Sequence, residues 1–262
     1  MYQERFPDIS IAPNGYSRPL DHDIIWRFMD LSKLINIVAT QTLPFVRLAV
    51  FPDQYEGLPP LGNRISELDL HDIPADQRKQ AVIGLNRNTK NLAEYSRQIV
   101  FVNCWCINEH ESAAMWKLYV SGLEGVAIRS TFKRLKECFK NASERIDIAK
   151  VKYIDYQTAR VEAAPMDMLA LGMHKRKSFD YEQELRAVHW DATEAMEIIR
   201  GERKDNTKEY IPINVHADTL IDRVFIAPTA PTWFKGVVES VLNKYGVNKQ
   251  VMHSSLGDSH VW

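Results

Sequence analysis

The sequence predicts an α+β fold built on mainly antiparallel sheets with flanking helices. Short apolar, β-branched runs outnumber the segments with helical periodicity. The links between them mix hairpin-like turns with helical crossovers. No internal repeat or low-complexity linker interrupts the 262 residues, which argues for a single domain over 23–262. Residues 1–22, with Pro7, Pro13 and Pro19, read as an irregular lead-in.

The elements follow in order. Ile24-Ile25-Trp26-Arg27-Phe28 reads as a strand. Asp30 and Ser32 offer N-cap oxygens to a helix carrying Leu34, Ile35 and Val38 at helical spacing. Leu43 to Leu48 gives a second strand, and Phe51 to Gly57 a loop. Residues 58–75 are rich in proline and polar side chains, and 76–98 read as an exposed helical excursion. The run from Ile99 to Cys106 is apolar enough for an interior strand. Glu109–Tyr119 reads as a helix with Met115, Trp116 and Tyr119 on one stripe. A strand over Gly125–Ser130 and a helix from Thr131 to Phe139 come next, then a strand over Val151–Tyr156 and helix over 157–178. Phe179 to Trp190 reads as an acidic strand, and 191–209 as a charged excursion. The tail predicts a strand at Val224–Ala227, a helix from Thr232 to Tyr245 and a last strand at Gln250–Met252.

Composition excludes several classes. Hydrophobic residues at 45% and charged residues at 26% fit a soluble globular chain. A formal net charge of -1 gives no bulk attraction to nucleic acid or an acidic membrane. No apolar run approaches the roughly 18–20 residues that span a bilayer. The N-terminus has no basic-then-apolar secretory pattern. Cys104, Cys106 and Cys138 are few and odd in number, which suits a reducing compartment. The expectation is a cytoplasmic protein without a membrane partner.

The strongest chemical signal is Glu182, Glu184 and Arg186 at alternate positions. A strand points all three to one face and Leu185 and Ala187 to the other. Adjacent carboxylates repel unless a cation or ligand offsets them. The plain alternative is a charged strand surface with Arg186 pairing one acid. Arg27, flanked by Trp26 and Phe28, needs a partner, a ligand or a solvated head. Asp53 and Glu56 read as loop structure, because two carboxylates alone are weak metal evidence. Trp116 and Tyr119 are either core or ring-stacking wall. Cys104 and Cys106 read as buried thiols, with His110, His174 and His189 not placeable against them. Lys175-Arg176-Lys177 reads as a solvated turn. His-Glu-x-x-His, Cys-x-x-Cys, Gly-x-Gly-x-x-Gly and phosphate-loop patterns are absent, and no metal site is expected.

These pieces carry two resemblances. From about residue 24 to the C-terminus the chain resembles the bacterial family catalogued as domain of unknown function 2971. The matching pieces are Trp26-Arg27-Phe28-Met29-Asp30, Phe51 to Gly57, Asn103-Cys104-Trp105, Met115 to Tyr119, Gly125-Val126-Ala127-Ile128, Val151-Lys152-Tyr153 and Tyr181 to Arg186. It is also similar to ADP-ribosyltransferases that use an arginine, a small polar strand residue and a Glu-x-Glu pair. Arg27, the Asn103–Cys106 strand and Glu182-Gln183-Glu184 follow that order, although Cys104 and Cys106 stand where such enzymes carry a Ser-Thr-Ser run. Ser130-Thr131 is a fallback for that role.

The second likeness implies an ADP-ribosyltransferase-like core that binds NAD as substrate and splits its nicotinamide–ribose bond. ADP-ribose would pass to a protein or nucleic-acid acceptor, or to water. Arg27 would clamp a phosphate or ribose, Glu184 would stabilise the ribosyl cation, and Glu182 would prepare the acceptor. Trp116, Tyr119, Cys104 and Arg186 would surround the dinucleotide. Bacterial enzymes of this kind act as toxins or in phage defence. The competing readings are a nucleotide- or protein-binding module without turnover, and a magnesium-dependent nuclease using Asp53, Glu56 and Glu184.

Overall fold

The computed structural model describes residues 15–161, 168–191, 193 and 208–258. Most of the lead-in, part of the expected 157–178 helix and most of the 191–209 excursion lie outside those residues. The fold is mixed α+β with a mostly antiparallel sheet, as the residue pattern predicts. Its order is β11-β10-β4-β1-β3-β2-β9, with β8 between β3 and β5. Here β1 is Ile24–Asp30, β2 Thr42–Arg47, β3 Val100–Ile107, β4 Gly125–Thr131, β5 Asp147–Lys150, β8 Glu184–Trp190, β9 Tyr210–Asn214, β10 Arg223–Ile226 and β11 Gln250–His253. A separate parallel pair joins β6, Lys152–Ile154, to β7, His174–Arg176.

Helices cover the faces where apolar residues recur at helical spacing. In α1, Leu31–Thr40, the buried residues are Leu34, Ile37 and Val38. The helix α2, Ala75–Ile99, buries only Ala93, Ser96 and Ile99 near its C-terminal end, as expected of an exposed excursion. The shorter α3, Ala113–Tyr119, is capped by Ser112, whose side chain accepts from the Met115 amide. Thr131 likewise caps α4, Phe132–Cys138. The remaining helices are α5, Met168–Gly172; α6, Ala217–Leu220; and α7, Phe234–Lys244.

Three expectations need correction. The strand expected at Val151–Tyr156 is shortened to β6, Lys152–Ile154, and an unexpected β5, Asp147–Lys150, precedes it; Val151 between them donates to Glu184 while Lys152 donates to Met173. Residues 177–182 form a 3-10 helix, so the acidic strand begins at Glu184 and not at Phe179. Gln183 between them has φ 44, a left-handed kink that ends the helix and starts the strand. Among the described residues of the helix expected across 157–178, Met168–Gly172 form the short α5 and His174–Arg176 form β7.

The position of the main cavity follows from strand β3. Its first half pairs with β2 (Val46↔Val102, Arg47↔Phe101). Its end pairs with β1 (Ile25↔Ile107, Trp26↔Cys106). Its other edge pairs with β8 along the whole length, from Val100↔Trp190 to Cys106↔Glu184. Between the two half-pairings, Asn103–Trp105 has no strand neighbour where β1 and β2 part. Side chains bridge the fork: Asn103 Nδ2 donates to Pro44 O at 2.8 Å, and Arg27 Nη1 donates to Cys104 O at 2.6 Å. A sheet fork leaves backbone groups unpaired, so such a bridge is required wherever it is buried.

Candidate functional site

The fork opens into a cavity of ≈ 880 Å³, within the size range of small-molecule sites. Arg27, Cys104, Tyr119, Glu182, Glu184 and Arg186 all line it. They come from four separate stretches of the chain, and the fold brings them to one space. Trp116 does not line it. Its indole packs edge-on against Phe28 with ring centroids 5.0 Å apart, and its Nε1 donates to Glu111 Oε2 at 2.9 Å. The core alternative therefore holds for Trp116, and Met115 of the same helix faces the cavity. Ser130 is buried and donates to Leu220 O away from the cavity, which removes it as a substitute polar residue.

Strand alternation delivers Glu184 and Arg186 to the cavity face and Leu185 and Ala187 to the main core, as the sequence pattern requires. Glu182 arrives by another route, from the last turn of the 3-10 helix just before the Gln183 kink. Arg186 is 1% exposed and forks onto Glu184, with Nε to Oε1 at 2.9 Å and Nη2 to Oε2 at 3.0 Å. Its Nη1 donates to Gly172 O at 2.8 Å. Glu56 Oε2 sits 2.6 Å from Arg186 Nη2 as an ion pair, without the alignment of a hydrogen bond.

Lys175 stands at the centre of the acids. Its Nζ lies 2.7 Å from Glu182 Oε2, 3.2 Å from Glu184 Oε2 and 3.5 Å from Glu56 Oε1. Tyr119 Oη donates to Glu182 Oε2 at 3.2 Å, and Tyr153 Oη accepts from the Glu184 amide at 2.8 Å. Burial alone would push the Glu184 carboxyl upward, but Arg186 and Lys175 hold it down at about 2. Burial likewise opposes the Lys175 charge, and Glu184 and Glu56 more than restore it.

Three carboxylates thus meet two cations in a buried cluster, leaving one negative charge over. Both protein contacts of Glu182 fall on Oε2. Among the described residues nothing bonds its Oε1, which is left to the cavity. Arg27 is the complementary surplus. It is half-buried, bonds the neutral Cys104 carbonyl, lies 5.9 Å from the Trp105 ring centroid, and makes no ion pair among the described residues, the Glu184 charge acting on it only from farther off. At the rim, Arg176 pairs with Asp53 (Nη2 to Oδ1 3.0 Å) between Tyr55 and Phe179.

Lys175 is the residue that sequence reasoning missed, and Glu56 entered it only as loop structure or as a magnesium ligand of the nuclease reading. The notion of Asp53 and Glu56 as plain loop structure is corrected by their ion pairs with Arg176 and with Lys175 and Arg186. The solvated-turn reading of Lys175-Arg176-Lys177 fails for Lys175, which is buried. One signal was available for it: Lys175 lies between the apolar Met173 and Phe179. The nuclease reading put Glu56 beside Glu184, but no signal pointed to its pairing with Lys175 and Arg186.

Cys106 is buried, as expected, whereas Cys104 is half-buried at the cavity wall. Burial pushes the Cys106 thiol up to about 11, and burial with the nearby Glu184 charge pushes Cys104 well above the usual thiol range. Neither is poised as a nucleophile. Among the described residues no group of three His, Cys, Asp or Glu side chains is arranged to hold a metal. The Lys175 ammonium occupies the centre of the acidic cluster. Among the described residues no helix is long and apolar enough to cross a membrane.

No family model and no curated protein matches the chain, so the likeness to domain of unknown function 2971 stays a matter of motifs. Among solved structures, the chain is similar to Thermus sp. 2.9 DarT in complex with NAD+, with 10% identity and a TM-score of 0.39. It is also similar to the same protein in complex with carba-NAD+, with 8% identity and a TM-score of 0.38. Each alignment covers 92% of this chain and 100% of the other. At those TM-scores the likeness is loose and carries no residue-by-residue correspondence.

Proposed function

We propose that the protein is an ADP-ribosyltransferase-like enzyme that binds NAD in the fork cavity and breaks the nicotinamide–ribose bond. One observation carries this reading: the cavity holds a surplus guanidinium, Arg27, and a surplus carboxylate charge in the Glu182–Glu184 pair. A ligand that satisfies both must carry an anion and a cation together. NAD does, with its diphosphate and its pyridinium ring. Arginine suits the diphosphate because its fork matches phosphate oxygens.

The chemistry then needs few parts. The bond from ribose C1′ to the nicotinamide nitrogen breaks, and its electron pair neutralises the ring as nicotinamide leaves. The positive charge that develops on the ribose is stabilised by a carboxylate of the acidic pair. A hydroxyl or amine of a macromolecule, or water, adds at C1′ and gives its proton to that carboxylate or to solvent. Inside a cell, loss of NAD or modification of an essential acceptor would make the active chain a toxin, in keeping with a defence role.

The test is nicotinamide release from NAD by the purified protein, set beside a Glu182→Gln/Glu184→Gln double variant. Release by the native chain and none by the variant supports the reading. Background release by both favours a second reading, a nucleotide-binding module without turnover. The full engagement of both Glu184 oxygens by Arg186 and Lys175 is the observation on that side.

A further inference from the structure

We infer that Glu182 is the carboxylate that meets the ribosyl cation, that Lys175 positions it, and that Glu184 belongs to the buried scaffold holding Lys175; this rests on the reading of the cavity as an NAD-cleaving site. A carboxylate that stabilises a nearby cation must present an oxygen to it. Glu184 is the more heavily engaged of the two acids. Its Oε1 and Oε2 are both bonded by the Arg186 fork, and Oε2 is also held by Lys175. Turning either oxygen to a substrate would break a charge-assisted bond in a place without water to replace it.

Glu182 is arranged differently. Lys175 and Tyr119 both grip Oε2, which fixes the carboxylate plane and leaves Oε1 facing the cavity. The charges agree with this division. Glu56, Glu182 and Glu184 share Lys175 and Arg186, so the cluster carries one surplus negative charge, and Glu182 is the acid with an oxygen left unbonded among the described residues. Lys175 cannot swing away, because Glu56 and Glu184 hold it at 3.5 and 3.2 Å. The Gln183 kink at φ 44 sets Glu182 off the strand line, so the two acids of the Glu-x-Glu pair are not equivalent neighbours on a ladder.

Nicotinamide release, NAD affinity and thermal unfolding of matched variants test the division. Glu182→Gln keeps its unfolding temperature and loses about 100-fold or more in kcat, far beyond its loss of NAD affinity. A Glu184→Gln/Arg186→Met pair removes one charge of each sign, so the cluster balance is kept. That variant loses less than about ten-fold in kcat. Lys175→Met lowers kcat at least about ten-fold with little change in KM, and Lys175→Arg recovers part of the loss. The division is overturned if the Glu184→Gln/Arg186→Met protein is folded and as inactive as Glu182→Gln, or if Glu182→Gln keeps native turnover. A native chain that releases no nicotinamide overturns the NAD reading itself, a separate outcome visible before any variant is made.

Discussion

Lys175 Nζ stands 2.7 Å from Glu182 Oε2 and 3.2 Å from Glu184 Oε2, so one buried ammonium sets the spacing of the two acids. Two carboxylates this close would repel each other strongly in a dry site, and one would take up a proton. The shared cation offsets that repulsion and helps hold the Glu184 carboxyl below its usual range. It also ties the Glu-x-Glu segment to β7 and, through Glu56, to the loop after β2.

Arg186 is the member whose loss costs the fold most. It is buried, holds Glu184 through two nitrogens, touches Glu56, and satisfies the Gly172 carbonyl. Arg186→Met leaves those acids short of a cation, and breaking a buried pair from one side costs about 3–5 kcal/mol. Urea unfolding at neutral pH measures it. A loss near zero would mean the cluster is solvated in solution.

Acid stability reports Glu184. Its carboxyl lies near 4.5 in an ordinary setting and at about 2 when folded. A depressed folded value contributes stability that is fully present above about pH 4.5 and is lost as pH falls toward 2. The difference corresponds to about 3 kcal/mol. Unfolding free energy followed between pH 5 and 2 should fall more steeply for the native chain than for Glu184→Gln. Parallel slopes would contradict the ion pairing.

Gly57 supports Glu56 from the next position. Its φ is +77, and a Cβ there would come within 2.6 Å of Arg97 Cγ. Gly57→Ala therefore meets both a disfavoured backbone and a side chain that must move. A loss of about 1–2 kcal/mol in unfolding free energy is expected, together with reduced nicotinamide release as Glu56 shifts off Lys175. A neutral substitution would show that the loop does not fix the acid.

The cysteines test the electrostatics independently. With Cys104 and Cys106 raised by burial and by the acids, neither thiol should react with a disulfide reagent at pH 8 while the protein is folded. Both should react once it is denatured. Fast native labelling of Cys104 would reopen the case for a thiol nucleophile.

The elements legible in the sequence are those carried by local pattern. The apolar run at Val100–Ile107 had to be interior, and the Thr131 cap announced α4. Glu184 and Arg186 declared a common face through strand alternation alone. Sequence placed Glu182 on the same face by the same argument. The side chain does reach the cavity, but from a 3-10 turn, because the Gln183 kink has no signature in residue type. Trp116 shared a helical stripe with Met115, and only the packing of Phe28 decides which of them meets the cavity. The pairing of Glu56 with Lys175 was out of reach for a deeper reason. Each is charged, each sits in a segment of turn-like composition, and each becomes buried only because distant partners neutralise it. Long-range pairing of that kind leaves no local trace.

The most direct measurement is nicotinamide formation against NAD concentration for the native chain and for Arg27→Met. Arg27 is the cavity's guanidinium that makes no ion pair among the described residues. Losing its charge-assisted contact to a phosphate should cost about 1.5–3 kcal/mol of binding, so the variant needs at least about ten-fold more NAD to reach half-saturation. Saturable release by the native chain with that displacement is the predicted result. No release from the native chain, or superimposable curves for the two proteins, would contradict it.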